Sequence, residues 1–205
     1  KEQKNNSISV GDVYFGRIKK MLPGLNSAFV DIGCRKDAFL HYLDLGPQIK
    51  SLKKFTKLAV EGHTSQLGLD SFELEKDIDK NGKITDFISV GERIPVQIAK
   101  EPINTKGPRI TADLSFAGRY IVLVPFSNRI SVSQKIKSSE ERRRLKLLIQ
   151  SIKPNNFGVI IRTVAEGKKV AELDADLKSL LNKWNTMSNA IGCSKSASKL
   201  ISELD

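Results

Sequence analysis

The stretch Asn26-Ser27-Ala28-Phe29-Val30-Asp31-Ile32-Gly33, followed by Lys36-Asp37-Ala38-Phe39-Leu40-His41, is short-paced and rich in β-branched and aromatic residues. It reads as two neighbouring strands, Ser27–Ile32 and Asp37–Leu40, that place Phe29 beside Phe39. Working outward, Asp12–Ile18 has the same character, and Leu22-Pro23-Gly24 punctuates the first pair, so the opening is a three-stranded meander. Lys50–Gly82 then breaks the rhythm with Lys-rich and acidic stretches and closes on the turn Asp79-Lys80-Asn81-Gly82. Arg93–Ala99 and Arg109–Ala112 restore strands. Five short strands with Gly and Pro turns, carrying an insertion at about residues 44–86, suit a small closed barrel, and the OB-fold is its commonest nucleic-acid-binding form. Ile-Ser-Val-Gly occurs at 8–11 and again at 88–91, each time before a strand; two such matches mark similar strand entries and not a repeat.

Beyond Ala112 the pattern becomes mixed α/β. Strands at Tyr120–Val124 and Val159–Thr163 enclose a helix over Ser139–Ser151, whose entry is a capping box formed by Ser138 and Glu141. Leu145, Leu148, Ile149 and Ile152 form its apolar face, Pro154 stops it, and Arg142, Arg143 and Arg144 add charge on the other side. A longer helix over Val170–Met187 aligns Val170, Leu173, Leu177, Leu181 and Trp184, which places Trp184 in a core. The segment after Ala190 has no turn or core signal, and the chain is expected to close on a further helix. The expected domains are therefore residues 1–112, the barrel, and 113–205, a small α/β domain.

Lys and Arg outnumber Asp and Glu enough to give a net charge of +11, with both sides of Ala112 basic and the second side more so. A polyanion is the natural partner. No apolar run approaches the roughly 20 residues of a membrane span. The polar start Lys1-Glu2-Gln3-Lys4-Asn5-Asn6 has no apolar signal core and no initiator Met, so it reads as an internal boundary and secretion is not supported. Cys34 and Cys193 are isolated and fit reduced cytoplasmic thiols, while His41 and His63 are the only histidines; neither pair suggests a metal site.

Three groups of residues bear chemistry. Phe29 and Phe39 read either as core or as a platform on which bases stack, with Tyr14, Arg17, Arg35 and Lys106 as a rim that neutralises phosphates; Phe15 reads as core. Lys100–Arg109 is a Pro- and Gly-containing loop with three cations, able to reach a phosphate. In Gly158-Val159-Ile160-Ile161-Arg162-Thr163 an apolar strand ends in a guanidinium and a hydroxyl, which read either as a structural ion pair or as a grip on one terminal phosphate. Asp174 and Asp176 read as a solvated helix face and poor metal ligands.

Taken in order, Gly16-Arg17, Pro23-Gly24, Ala28-Phe29-Val30-Asp31-Ile32-Gly33, Ala38-Phe39-Leu40, Thr105-Lys106-Gly107, Ala117-Gly118-Arg119-Tyr120 and Ile161-Arg162-Thr163 resemble the ribonuclease E/G family across nearly the whole chain. The resemblance implies an OB-fold RNA-binding domain of the ribosomal-protein S-one type, then a sensor of the 5′-monophosphate of RNA, with the boundary near Ala112. It maps the aromatic surface to Phe29 and Phe39, its basic neighbour to Lys106, and the sensor pocket to Gly118, Val122, Arg162 and Thr163. Arg162 and Thr163 would hold the phosphate, while Gly118 and Val122 would form a floor that the terminal nucleotide approaches closely. Ser133-Gln134-Lys135-Ile136 stands where the family shows Ser-Arg-Arg-Ile, and Ile32 stands where an aromatic is common, so this chain departs from the pattern at both places.

The family's RNase H-like segments, its catalytic domain with paired magnesium-binding Asp, and its zinc-linking Cys pair have no counterpart here. The resemblance therefore implies a non-catalytic part that binds single-stranded RNA and needs no cofactor. Its parent would be a cytoplasmic, homo-oligomeric, magnesium-dependent endoribonuclease of RNA decay or ribosomal RNA processing, with the catalytic domain on the same polypeptide. The alternatives are a stand-alone RNA-binding module of translation or RNA chaperoning, and a protein-interaction scaffold whose charge only keeps it soluble.

Overall fold

The computed structural model describes residues 7–63, 68–194 and 197–203. In chain order its regular elements are β1 (Val13–Leu22), β2 (Ser27–Asp31), β3 (Ala38–His41), α1 (Ile49–Val60), β4 (Arg93–Lys100), β5 (Arg109–Thr111), β6 (Phe116–Ala117), β7 (Ile121–Pro125), β8 (Ile130–Val132), α2 (Ser139–Ile152), β9 (Phe157–Ile161), α3 (Val170–Cys193) and β10 (Ser198–Ile201). Residues 1–64, 75–114 and 187–205 make one compact unit, and residues 65–74 with 115–186 make the other.

In the first unit β1 pairs with β2, β2 with β3, β3 with β5, β5 with β4, and β4 returns to β1, closing a five-stranded barrel. Alternation fills it: Ala28, Val30, Ala38 and Leu40 are buried, whereas Phe29, Asp31, Phe39 and His41 between them are half-buried. Ile18, Ile94, Val96, Ile98 and Ile110 complete the core. The five expected strands are therefore present in the expected order.

The insertion holds something the charge pattern concealed. Ile49, Leu52, Phe55 and Ala59 recur at helical spacing and are buried, so the Lys-rich run folds as the helix α1 with its lysines outward. The chain end also differs from expectation. In place of a closing helix, Ser198–Ile201 forms β10, an extra strand antiparallel to β1. Asp12, 1% exposed, fastens it by accepting hydrogen bonds from the Glu203 N–H at 2.9 Å and Ser202 Oγ at 3.3 Å and pairing with Lys199 Nζ at 3.2 Å. Burial alone would raise the Asp12 carboxyl, but the N–H groups of Glu203 and Ser9 and the Lys199 ammonium together hold it below its ordinary range.

The second unit is a four-stranded sheet in the order β6-β7-β9-β8, with β9 antiparallel to β7 and parallel to β8. Ile121, Leu123, Val159 and Ile161 bury one face, while Val122 and Ile160 lie toward the other. Trp184 is fully buried, as expected, and takes Phe116, Phe126 and Phe157 edge-on at 5.5–6.2 Å between ring centroids. Ser138 caps α2 by accepting the Glu141 N–H, but the Glu141 carboxylate turns to Arg144 and the Gly167 N–H. Two arginines of the supposed charged face thus have structural partners: Arg144 also donates to the Lys168 carbonyl, and Arg142 to the carbonyls of Val132, Ser133 and Ile136.

Candidate nucleic-acid interface

On the outside of the barrel, strand register assembles one row from four strands. Phe29 lies opposite Phe39 across β2 and β3, Lys20 lies opposite Phe29 on β1, and Arg109 lies opposite Phe39 on β5. The two rings meet edge to face, with centroids 6.2 Å apart and planes at 68°. Each is half-buried, which leaves ring surface open while its strand neighbours fill the core. The bulge between Ile18 and Lys20 sets Lys20 in this row; without the extra residue the register would put it on the core face. Arg109 is tied to Asp44 at 3.0 Å and is still exposed.

Lys106 stands at the edge of an open groove of about 540 Å³ lined also by Cys34, Arg35, Lys36, Asn104 and Pro108. The approach of its loop depends on Gly107, where a Cβ would lie 1.9 Å from the Asp37 carbonyl oxygen. Only a glycine fits there, so Lys106 is fixed close to Lys36 and Arg35. Arg17 is exposed and in register with Asp31. Tyr14 is different: it is 3% exposed, with the Lys199 ammonium 5.7 Å from its ring centre, so the β10 strand covers it and it cannot serve in a surface rim. Phe15 is core as expected, with the Arg93 guanidinium over its ring.

In the second unit Arg162 directly follows β9 and is exposed. Its Nη1 donates to the Gly118 carbonyl at 2.7 Å and the Arg119 carbonyl at 3.3 Å, and among the described residues no acceptor engages Nε or Nη2. Thr163 Oγ1 lies 2.7 Å from Ser133 Oγ. Gly118, Val122, Arg162 and Thr163 thus gather at one end of the sheet. The space a Cβ would take on Gly118 is filled by the Asp176 carboxylate, 2.5 Å away, which gives that glycine a packing role inside the protein. Gln134 and Lys135 are both exposed beside Ser133.

Several contributors were not anticipated. Lys20 becomes visible only through strand register; Arg109, read from the sequence as one cation of the Lys100–Arg109 loop, is placed by register beside Phe39, and Ser133, read only as the start of a motif, is brought to Thr163 by the parallel pairing of β8, itself unexpected, with β9. Asp176 is not a solvated bystander: it accepts three backbone N–H groups. Asp174 pairs with Lys178 on the helix surface. His41 accepts the Leu43 N–H through Nδ1, and both cysteines are free thiols, with burial pushing that of Cys34 up. Among the described residues no three His, Cys, Asp or Glu side chains are grouped to hold a metal ion, and no helix is long and apolar enough to cross a membrane.

Comparison with known proteins bears on this arrangement. The profile of the Ribonuclease E/G family matches residues 115–205. Ribonuclease G of Haemophilus influenzae is 38% identical over 175 residues, which is 85% of this chain and 32% of that protein. The chain belongs to the ribonuclease E/G family. Ribonuclease G of Escherichia coli is 37% identical over the same share of each chain, and ribonuclease E of a Nostoc species is 35% identical over 87% of this chain and 22% of its own. The likeness therefore runs through the barrel as well as the α/β unit. The chain spans no more than about a third of the length of these family members.

Proposed function

We propose that this chain binds single-stranded RNA and holds its 5′-monophosphate end, as the recognition part of a ribonuclease E/G-type endoribonuclease acting in RNA decay or ribosomal RNA processing. The observation that carries the reading is the state of Arg162: one nitrogen is anchored on two carbonyls while no acceptor among the described residues engages Nε or Nη2, beside the Thr163 and Ser133 hydroxyls. A guanidinium presented this way suits a bidentate bond to one phosphate, and hydroxyls can add further donors. Internal nucleotides would stack on Phe29 and Phe39, with Lys20, Arg109 and Lys106 close to the phosphates and Arg17 on the same barrel. Val122 and the Gly118 backbone would flank the terminal nucleotide.

Hydrolysis we assign to a catalytic domain elsewhere in the same polypeptide, in a cytoplasmic homo-oligomer that uses magnesium. The acidic residues described here do not form a set that fits that ion, so no step of cleavage is derived from them. The deciding experiment compares affinities of this chain for one short RNA carrying a 5′-monophosphate, a 5′-hydroxyl or a 5′-triphosphate. The monophosphate is expected to bind tightest. Equal affinities for the first two would refute end sensing, and affinity independent of salt would refute RNA binding through phosphates.

A further inference from the structure

The two carbonyls that hold Arg162 are themselves held from behind. The Gly118 carbonyl shares a peptide group with the Arg119 N–H, which donates to Asp176 Oδ1 at 3.0 Å. The Arg119 carbonyl shares the next peptide group with the Tyr120 N–H, which donates to Asp176 Oδ2 at 2.9 Å. A third donor, the Ile121 N–H, reaches Oδ2 at 3.1 Å. Asp176 lies on α3, fifty-odd positions away in sequence, and the missing side chain at Gly118 is what admits its carboxylate.

We infer that Asp176 is a positioning residue for the 5′-end site, fixing Arg162 through the 118–119 and 119–120 peptide groups. This deepens the function proposed above and rests on it. Two physical effects act together. Hydrogen bonds in series polarise one another, so a carboxylate on the N–H side of a peptide makes its carbonyl a stronger acceptor for the guanidinium. Three bonds to one carboxylate also remove the freedom of the 118–121 loop. Arg162 then meets the phosphate with its long side chain already ordered, which lowers the entropy lost on binding. Asp176 makes no contact with the phosphate itself; it acts as a buttress. Neighbouring Asp174 is engaged by Lys178 at 2.9 Å, so it does not substitute.

The test uses Asp176→Asn in the full 205-residue chain. The amide keeps the volume but turns a donor toward the loop N–H groups. Affinity for 5′-monophosphorylated RNA is expected to fall about tenfold, the loss of roughly one charge-assisted bond, with 5′-hydroxyl RNA unchanged. In an Arg162→Ala background the same change should have no further effect, because both act through one group. If Arg162→Ala alters the monophosphate preference and Asp176→Asn does not, or weakens both RNAs alike, the positioning role is overturned and the sensor stands. If Arg162→Ala leaves the preference unchanged, the sensor reading itself falls. Should Asp176→Asn fail to fold, the unmodified chain decides: a 5′-monophosphorylated dinucleotide should shift the amide resonances of Arg119, Tyr120 and Ile121, and a 5′-hydroxyl dinucleotide should not. No shift overturns the inference.

Discussion

The Oγ atoms of Ser133 and Thr163 meet at 2.7 Å, delivered by the parallel strands β8 and β9. Thr163→Val keeps the shape and removes one hydroxyl from that pair. Affinity for 5′-monophosphorylated RNA should fall by about 0.5–1.5 kcal/mol, with 5′-hydroxyl RNA unaffected. An equal loss for both RNAs, read by titration calorimetry, would assign the hydroxyl pair to structure alone.

Arg162→Ala should have a larger effect, because bonds to ionised groups contribute about 1.5–3 kcal/mol, or about tenfold to a hundredfold in affinity for the monophosphate end. Arg162→Lys should not restore it, since an ammonium cannot form the fork. A lysine variant binding as tightly as the parent would show that only charge matters. A triphosphate should bind less well than a monophosphate, with Gln134 in place of an arginine softening the difference.

On the barrel, Phe29→Ala and Phe39→Ala should each weaken RNA binding by about 1–3 kcal/mol while leaving the 5′-end preference intact. Lys20→Ala and Lys106→Ala should each lower the slope of log affinity against log salt by about 0.7. Thermal melts run beside the binding curves separate this from core damage: a Phe variant that loses binding only because it unfolds returns the rings to the core.

Asp12 links acidity to the β10 strand. Its folded carboxyl titrates below the ordinary value of 3.8, so its contribution is fully present above that pH and is lost as pH falls through the lower folded value. Amide exchange in Ser198–Ile201 should therefore accelerate in acid below about pH 3.8. Asp12→Asn should destabilise the first unit by about 1–3 kcal/mol at neutral pH and flatten that acid response. An unchanged acid profile in the variant would assign the loosening to other groups.

Incubated with labelled single-stranded RNA and magnesium, the chain should bind and not cut. Cleavage that tracks the protein through purification, and vanishes in a binding-deficient variant, would place catalytic chemistry within these residues.

What the sequence showed plainly was local. The strands around Phe29 and Phe39, the Ser138 cap and the Trp184 face all declare themselves within a few residues, where side-chain type and spacing suffice. Relations across the chain were hidden. Lysines masked the apolar spacing of α1, Tyr14 looked available until β10 was seen to cover it, and Asp176 looked solvated because its partners lie more than fifty positions earlier. Arg142 was read as surface charge for a different reason: its carbonyl acceptors are only six to ten positions earlier, but they belong to β8 and the turn after it, an element too short to announce itself. The resemblance reached Gly118, Arg162 and Thr163 but not the carboxylate behind them.

The β10 strand sets an order of assembly. Asp12 and its Glu203 partner are separated by 191 positions, so this edge of the barrel closes only after the whole α/β segment has been synthesised. Contacts of such long sequence separation slow folding, and the loop-closure entropy grows only logarithmically with length, so the effect falls on rate more than on final stability. Until then the start of β1 is an open edge, a template for another chain. A nascent or truncated chain ending before Ser198 should for that reason pair edge to edge and aggregate, even though every residue of the row around Phe29 and Phe39 is already present.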